Sequence, residues 1–134
     1  MRIDEIEGIG PESSAKLASA GVRTVDDLLE QGAPRSGREL LAQTTGLSPT
    51  QILEWVNHAD LMRIDGVGSE YSDLLEAAGV DTVAELARRN ATNLAQTFAE
   101  IDAARPNWIR RVPSEATVAA WIAQAKTMER RIEY

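Results

Sequence analysis

Residues 6–32 read IEGIGPESSAKLASAGVRTVDDLLEQG, and residues 64–90 read IDGVGSEYSDLLEAAGVDTVAELARRN. At an offset of 58 the two stretches are identical at 12 of 27 positions. The matches include Gly8/Gly66, Gly10/Gly68, Glu12/Glu70, Leu17/Leu75, Gly21/Gly79, Thr24/Thr82, Val25/Val83 and Leu28/Leu86. A later block recurs at an offset of 66, where Ser48, Trp55, Val56, Ala59 and Met62 correspond to Ser114, Trp121, Ile122, Ala125 and Met128. Self-similarity at a fixed spacing marks a repeated structural unit. The chain therefore reads as two copies, 1–62 and 63–134. The second carries about eight extra residues between Asn90 and Ser114, the difference between the two offsets.

Each copy reads as helices. Val25, Leu28 and Leu29 fall at i, i+3, i+4 and give one apolar stripe. Ile52, Trp55, Val56 and Ala59 continue the same spacing, and Val118, Trp121, Ile122 and Ala125 repeat it near the end of the chain. Trp55 and Trp121 stand at equivalent stripe positions and read as core anchors. Thr24-x-x-Asp27 and Thr82-x-x-Glu85 have the form of capping boxes, with Gly32 and Asn90 placed as C-terminal stops. Ser48-Pro49 reads as an N-cap followed by proline at the first helical position. Gly21 and Gly79 sit where helices end, in positions suited to a left-handed turn. No stretch alternates with period two, so strands are not expected. The fold class predicted is all-α: two tandem units of four or five short helices each, forming a compact bundle.

Composition agrees. The 134 residues are 43% hydrophobic and 26% charged, an ordinary globular balance, and only 4% aromatic. A core of Ala, Leu, Ile and Val suits closely packed helices. There is no cysteine, which excludes disulfides, thiolate nucleophiles and cysteine-based metal sites. No run reaches the ~18 apolar residues that would span a bilayer. No secretory leader is read at the N-terminus, so a cytoplasmic protein with no membrane partner is expected.

Gly8-Ile9-Gly10 and Gly66-Val67-Gly68 each lie between two helical patterns. The glycines permit a tight reversal, and the apolar residue between them can plug the groove between the helices. Such a turn presents backbone N–H groups at the start of the next helix, an arrangement that holds phosphate. At this point the sequence resembles the helix-hairpin-helix superfamily, through the pattern hydrophobic-x-Gly-hydrophobic-Gly from Ile6 to Leu17 and from Ile64 to Leu75. The continuation, Ala20 to Leu28 and Ala78 to Leu86, is similar to the small N-terminal domain of strand-exchange recombinases. Apart from about 100–111, the whole chain resembles a bacterial domain-of-unknown-function family built from such units in tandem. The resemblance implies binding of nucleic-acid backbone without sequence reading, through hairpin amides and sometimes a monovalent cation. Carried over, the contacts are Gly8, Ile9, Gly10 and Glu12 in the first unit, and Gly66, Val67, Gly68, Ser69 and Glu70 in the second.

Charge qualifies that expectation. Lys and Arg number 14 against 21 Asp and Glu, a net charge of −7. Residues 1–62 hold 5 basic and 10 acidic residues (−5), and residues 63–134 hold 9 and 11 (−2). Such a balance opposes a broad basic surface for phosphate. Glu7, Glu12, Asp65 and Glu70 flank the two turns, where they repel phosphate but stabilise the following helix through its dipole by ~0.3–1 kcal/mol. The exception is Arg105-Pro106-Asn107-Trp108-Ile109-Arg110-Arg111, with three arginines, one tryptophan and no acid. Arg105, Trp108, Arg110 and Arg111 have the composition expected where bases stack and phosphates pair. The competing reading packs Trp108 and Ile109 onto the bundle and leaves the arginines in water, or paired with Glu100 and Asp102.

Catalysis is not expected. The one histidine, His58, has Asp60 near in sequence, but residues at i and i+2 do not face each other on a helix, and no Gly-x-Ser-x-Gly or phosphate-loop pattern occurs. No cofactor and no metal site are predicted. Two functional classes remain: a nonspecific nucleic-acid-binding module, or a protein-interaction scaffold that keeps the fold without that binding surface.

Overall fold

The computed structural model describes residues Met1–Tyr134. It is all-helical: one 3-10 turn, Ile3–Glu5, and eight α-helices, with no strand. The helices are α1 Pro11–Ser19, α2 Val25–Gly32, α3 Arg35–Thr45, α4 Pro49–Leu61, α5 Ser69–Ala77, α6 Val83–Leu86, α7 Ala91–Ala104 and α8 Glu115–Ala125. They form two compact units, Met1–Asp60 with Arg131–Tyr134, and Leu61–Arg130. No helix is long and apolar enough to cross a membrane.

In the first unit the expected stripes are buried: Leu28 and Leu29 on α2, and Ile52, Trp55, Val56 and Ala59 on α4. Thr24 and Asp27 make the full capping box. The Asp27 N–H donates to Thr24 Oγ1 at 3.0 Å, and the Thr24 N–H donates to Asp27 Oδ2 at 3.1 Å. The Arg23 N–H donates to the same carboxylate at 3.1 Å. These backbone donors, Arg23 first and then Thr24, hold the Asp27 carboxyl below its ordinary value.

The end of α2 departs from the sequence expectation. Gly32 is its last residue, but the following Ala33 is right-handed, so no left-handed glycine stop forms. Gly32 is needed for proximity instead: a Cβ there would lie 2.4 Å from Val56 Cγ2 on α4. The helix is closed by Arg38, whose Nη1 donates to the carbonyls of Gly32 and Ala33, each at 2.8 Å. Arg38 is buried among these carbonyls, and burial lowers its pKa. Its Nη2 also donates to the Glu133 carbonyl. The Glu133 N–H donates to Ala33 O at 2.8 Å, and Ile132 is buried. The segment Arg131–Tyr134 thus completes the first unit, an attachment the repeat arithmetic gave no reason to expect. Between α3 and α4, Gly46 is left-handed (φ +75°) and its N–H returns to Ala42 O.

The second unit is built around Leu74, Leu75, Val83, Leu86, Leu94, Phe98, Val118, Trp121 and Ile122. Its caps differ in detail. Thr82 Oγ1 accepts from the Glu85 N–H at 3.3 Å, but the Glu85 carboxylate reaches one residue further back, to the Asp81 N–H at 3.0 Å. Asn90 is not a C-terminal stop. Helix α6 already ends at Leu86, and Asn90 is the N-cap of α7, its Oδ1 accepting from the Asn93 N–H at 3.0 Å. Asparagine suits both positions, and here the extended backbone at Asn90 (φ −90°, ψ 128°) selects the N-cap. No glycine ends α7. The chain runs from Arg105 to Ser114 as a loop in which Asn107 is left-handed (φ +66°) and Ile109 is buried, and Ser114 then caps α8.

Candidate functional site

The two glycine turns adopt the same local geometry. Gly8 has φ +93° and Gly66 φ +89°, values open to glycine at low cost. The Ile9 N–H donates to Ile6 O at 3.2 Å, and the Val67 N–H donates to Ile64 O at 3.1 Å. A Cβ on Gly8 would lie 3.6 Å from Trp55 Nε1, and one on Gly66 would lie 3.5 Å from Trp121 Nε1. Each core tryptophan therefore backs the turn of its own unit.

Only the first glycine of each pair is needed for the reversal. Gly10 (φ −80°) and Gly68 (φ −102°) are extended N-caps, a conformation any residue adopts. No atom lies within 4 Å of a Cβ added at either position. Ile9 and Val67 are buried and their N–H groups are used inside the turns, so neither presents a side chain or amide outward. Gly8, Gly10 and Gly66 are exposed, while Gly68 and Ser69 are half-buried at the start of α5. Pro11 begins α1 and has no N–H to offer.

The surroundings of the turns diverge. In the first unit Glu12 is highly exposed and pairs with Lys16 at 3.3 Å, one helical turn along. In the second, Glu70 is part-covered by the Arg/Trp segment. Glu70 Oε1 accepts the Arg110 N–H at 3.3 Å, and Arg110 Nε lies 4.0 Å from Oε2. Tyr71 follows, its hydroxyl donating to Arg111 O at 2.7 Å and its ring 5.3 Å from that of Trp121. On the other side, Gln124 Oε1 of α8 accepts the Asp65 N–H at 2.8 Å and pins the turn.

The structure thus brings Arg110 and Arg111 of the Arg/Trp segment against Glu70 and Tyr71, which follow the Gly66–Ser69 stretch in the first turn of α5. Within the segment, the Arg105 guanidinium lies 3.8 Å above the Trp108 ring. Trp108 is half-buried and Ile109 buried, as the packing reading required, while Arg105, Arg110 and Arg111 are exposed. The acid that meets Arg110 is Glu70, in place of the Glu100 and Asp102 named from proximity in sequence. Arg89, upstream, donates to the Ala78 carbonyl at 3.2 Å and supports the end of α5.

Tyr71 and Gln124 were not foreseen as parts of this site. A signal for Tyr71 was available. It stands where the first copy has Ser13, and that departure occurs in the copy that carries the insertion. The two departures touch in space.

Residues 7–128 match the model of the family described as Domain of unknown function (DUF4332). The chain belongs to this family. No curated protein matches it, and no solved structure does. The DUF4332 match takes in both glycine turns and the whole Arg/Trp segment, so these features lie inside the family's domain.

Proposed function

We propose that this DUF4332 chain is a non-enzymatic binding module of helix-hairpin-helix type, with two tandem units, whose second unit contacts nucleic-acid backbone without sequence specificity. The observation that carries the reading is the contact of Arg110 with Glu70 at the first turn of α5. It sets exposed arginines beside a turn that opens into a helix N-terminus. Cations and backbone N–H groups together are the chemistry that holds phosphate. It also partly neutralises the acid that would otherwise repel such a ligand. Gly68 supports the reading, because its missing side chain leaves open space and serves no backbone need. Gly10 offers the same space, but Glu12 beside it pairs only with Lys16. With a net −5 over residues 1–62, the first unit suits a protein partner better than phosphate.

The test is a mobility-shift titration of single- and double-stranded DNA and RNA at ~50 mM salt and above. Backbone binding should weaken linearly in log affinity against log salt. The triple variant Arg105→Ala, Arg110→Ala, Arg111→Ala should flatten that slope by about 2–3, at roughly one unit per lost phosphate contact. Binding that is absent at low salt, or unchanged in the triple variant, overturns the proposal and favours the scaffold reading.

A further inference from the structure

Next to the Arg110–Glu70 contact the second unit holds a cavity of about 370 Å³. It is lined by Tyr71, Arg111, Val112, Pro113, Ser114 and Thr117. We propose that this cavity takes an unpaired nucleobase, so that the second unit binds single-stranded nucleic acid in preference to duplex. The proposal rests on the backbone contact described above and names the class of strand that makes it.

The size falls within the ~300–1,000 Å³ of small-molecule sites. The aromatic wall is set in advance. Tyr71 is held at one end by its hydrogen bond to Arg111 O and at its ring by Trp121. A ring already fixed adds little ordering cost when a base packs on it. Val112 and Pro113 supply apolar surface. The hydroxyls of Ser114 and Thr117 lie 3.0 Å apart, and either can donate, so they can adapt to the donors and acceptors of a base edge. The Arg111 side chain is exposed and enters no ion pair in the structure, which leaves its planar guanidinium able to stack. Arg105 over Trp108 shows that geometry already formed in the same segment.

A base inside a duplex is covered on both faces and must be unstacked before it can enter such a cavity. A single strand has no such barrier. The net charge points the same way. Duplex binding draws chiefly on many phosphate contacts, which a chain at −7 is poorly equipped to make. Stacking gains affinity per base without further cations.

The experiment measures fluorescence anisotropy at ~50 mM salt with three labelled probes of equal length. They are an oligothymidine strand, a strand of abasic residues with the same phosphates, and a mixed-sequence duplex. Oligothymidine should bind about tenfold tighter than the abasic strand, the lower part of the range expected for one stacked base. Thr117 is exposed on α8, so Thr117→Phe fills the cavity while every arginine and the bond from the Thr117 N–H to Ser114 Oγ stay in place. With its melting curve unchanged, that variant should lose the preference and keep the abasic affinity. Equal binding of the two strands, tighter binding of the duplex, or a preference that survives Thr117→Phe overturns the base site alone. Failure of all three probes to bind overturns the backbone reading as well.

Discussion

The α3–α4 connection and the α7–α8 connection begin from equivalent places in the repeat and end as different objects. The first is Gly46, Leu47 and Ser48, turned by one left-handed glycine. The second runs from Arg105 to Ser114, buries Ile109, and lays Arg110 and Arg111 against Glu70 and Tyr71. One joins two helices; the other joins two helices and builds a surface. The difference lies in the stretch where the two similar sequence segments differ in length. The helical stripes and the Trp-backed turns must be kept for each copy to fold. A connection is under no such constraint, and insertions are tolerated there.

Paired substitutions across the two units separate what is shared from what is not. The largest effect should come from Gly8→Val and Gly66→Val. Both turns have φ near +90°, which a β-branched residue strongly resists, so each should cost about 2 kcal/mol in chemical denaturation. Gly10→Ala and Gly68→Ala, in extended backbone with open space, should stay within ~0.5 kcal/mol. Equal costs at both glycines of a pair would break the geometric account of the turns.

A smaller contrast lies in the caps. Thr24→Ala removes half of a reciprocal box and should cost about 1 kcal/mol, whereas Thr82→Ala, which caps the one-turn α6 without a reciprocal bond, should cost less. The Asp27 part of that box is pH-dependent. Its pKa is lowered in the folded state, so its contribution is fully present above the ordinary value of 3.8 and is lost as pH falls through the lowered one. Asp27→Asn should therefore flatten the acid limb of the stability profile below pH ~4, as acid unfolding of the two proteins compared would show.

The smallest effect on stability is expected at the acids beside the turns. Glu12→Gln and Glu70→Gln each weaken a surface pair and a helix-dipole interaction, by a few tenths of a kcal/mol. The two positions should differ in a second readout. Glu70→Ala removes the acceptor of the Arg110 N–H and should raise amide exchange across 105–111, whereas Glu12→Ala should leave its surroundings unchanged. Equal exchange in both alanine variants would mean that the segment is held without Glu70.

Most of the helical plan was legible because it is local. Stripe spacing, Pro49, and the left-handed Gly21 and Gly79 are written within a few residues of where they act. Asparagine caps either end of a helix, and the early end of α6 at Leu86 together with the extended backbone at Asn90 decides for the N-cap. Gly32 reads as a stop until Val56 is seen 2.4 Å from its absent Cβ. The site was legible in pieces. The glycines and the arginines each stand out, but the arginine segment reaches the start of α5 through Glu70 and Arg110, forty residues apart in sequence. Nothing local encodes such a pairing.

The docking of Arg131–Tyr134 also bears on how the chain is made. Arg38 waits for a carbonyl that lies 95 residues further along. Chains emerge from the ribosome N-terminus first, and domains begin to fold in that order. The first unit can assemble its own helices early, yet its last hydrogen bonds form only after the entire second unit has been synthesised.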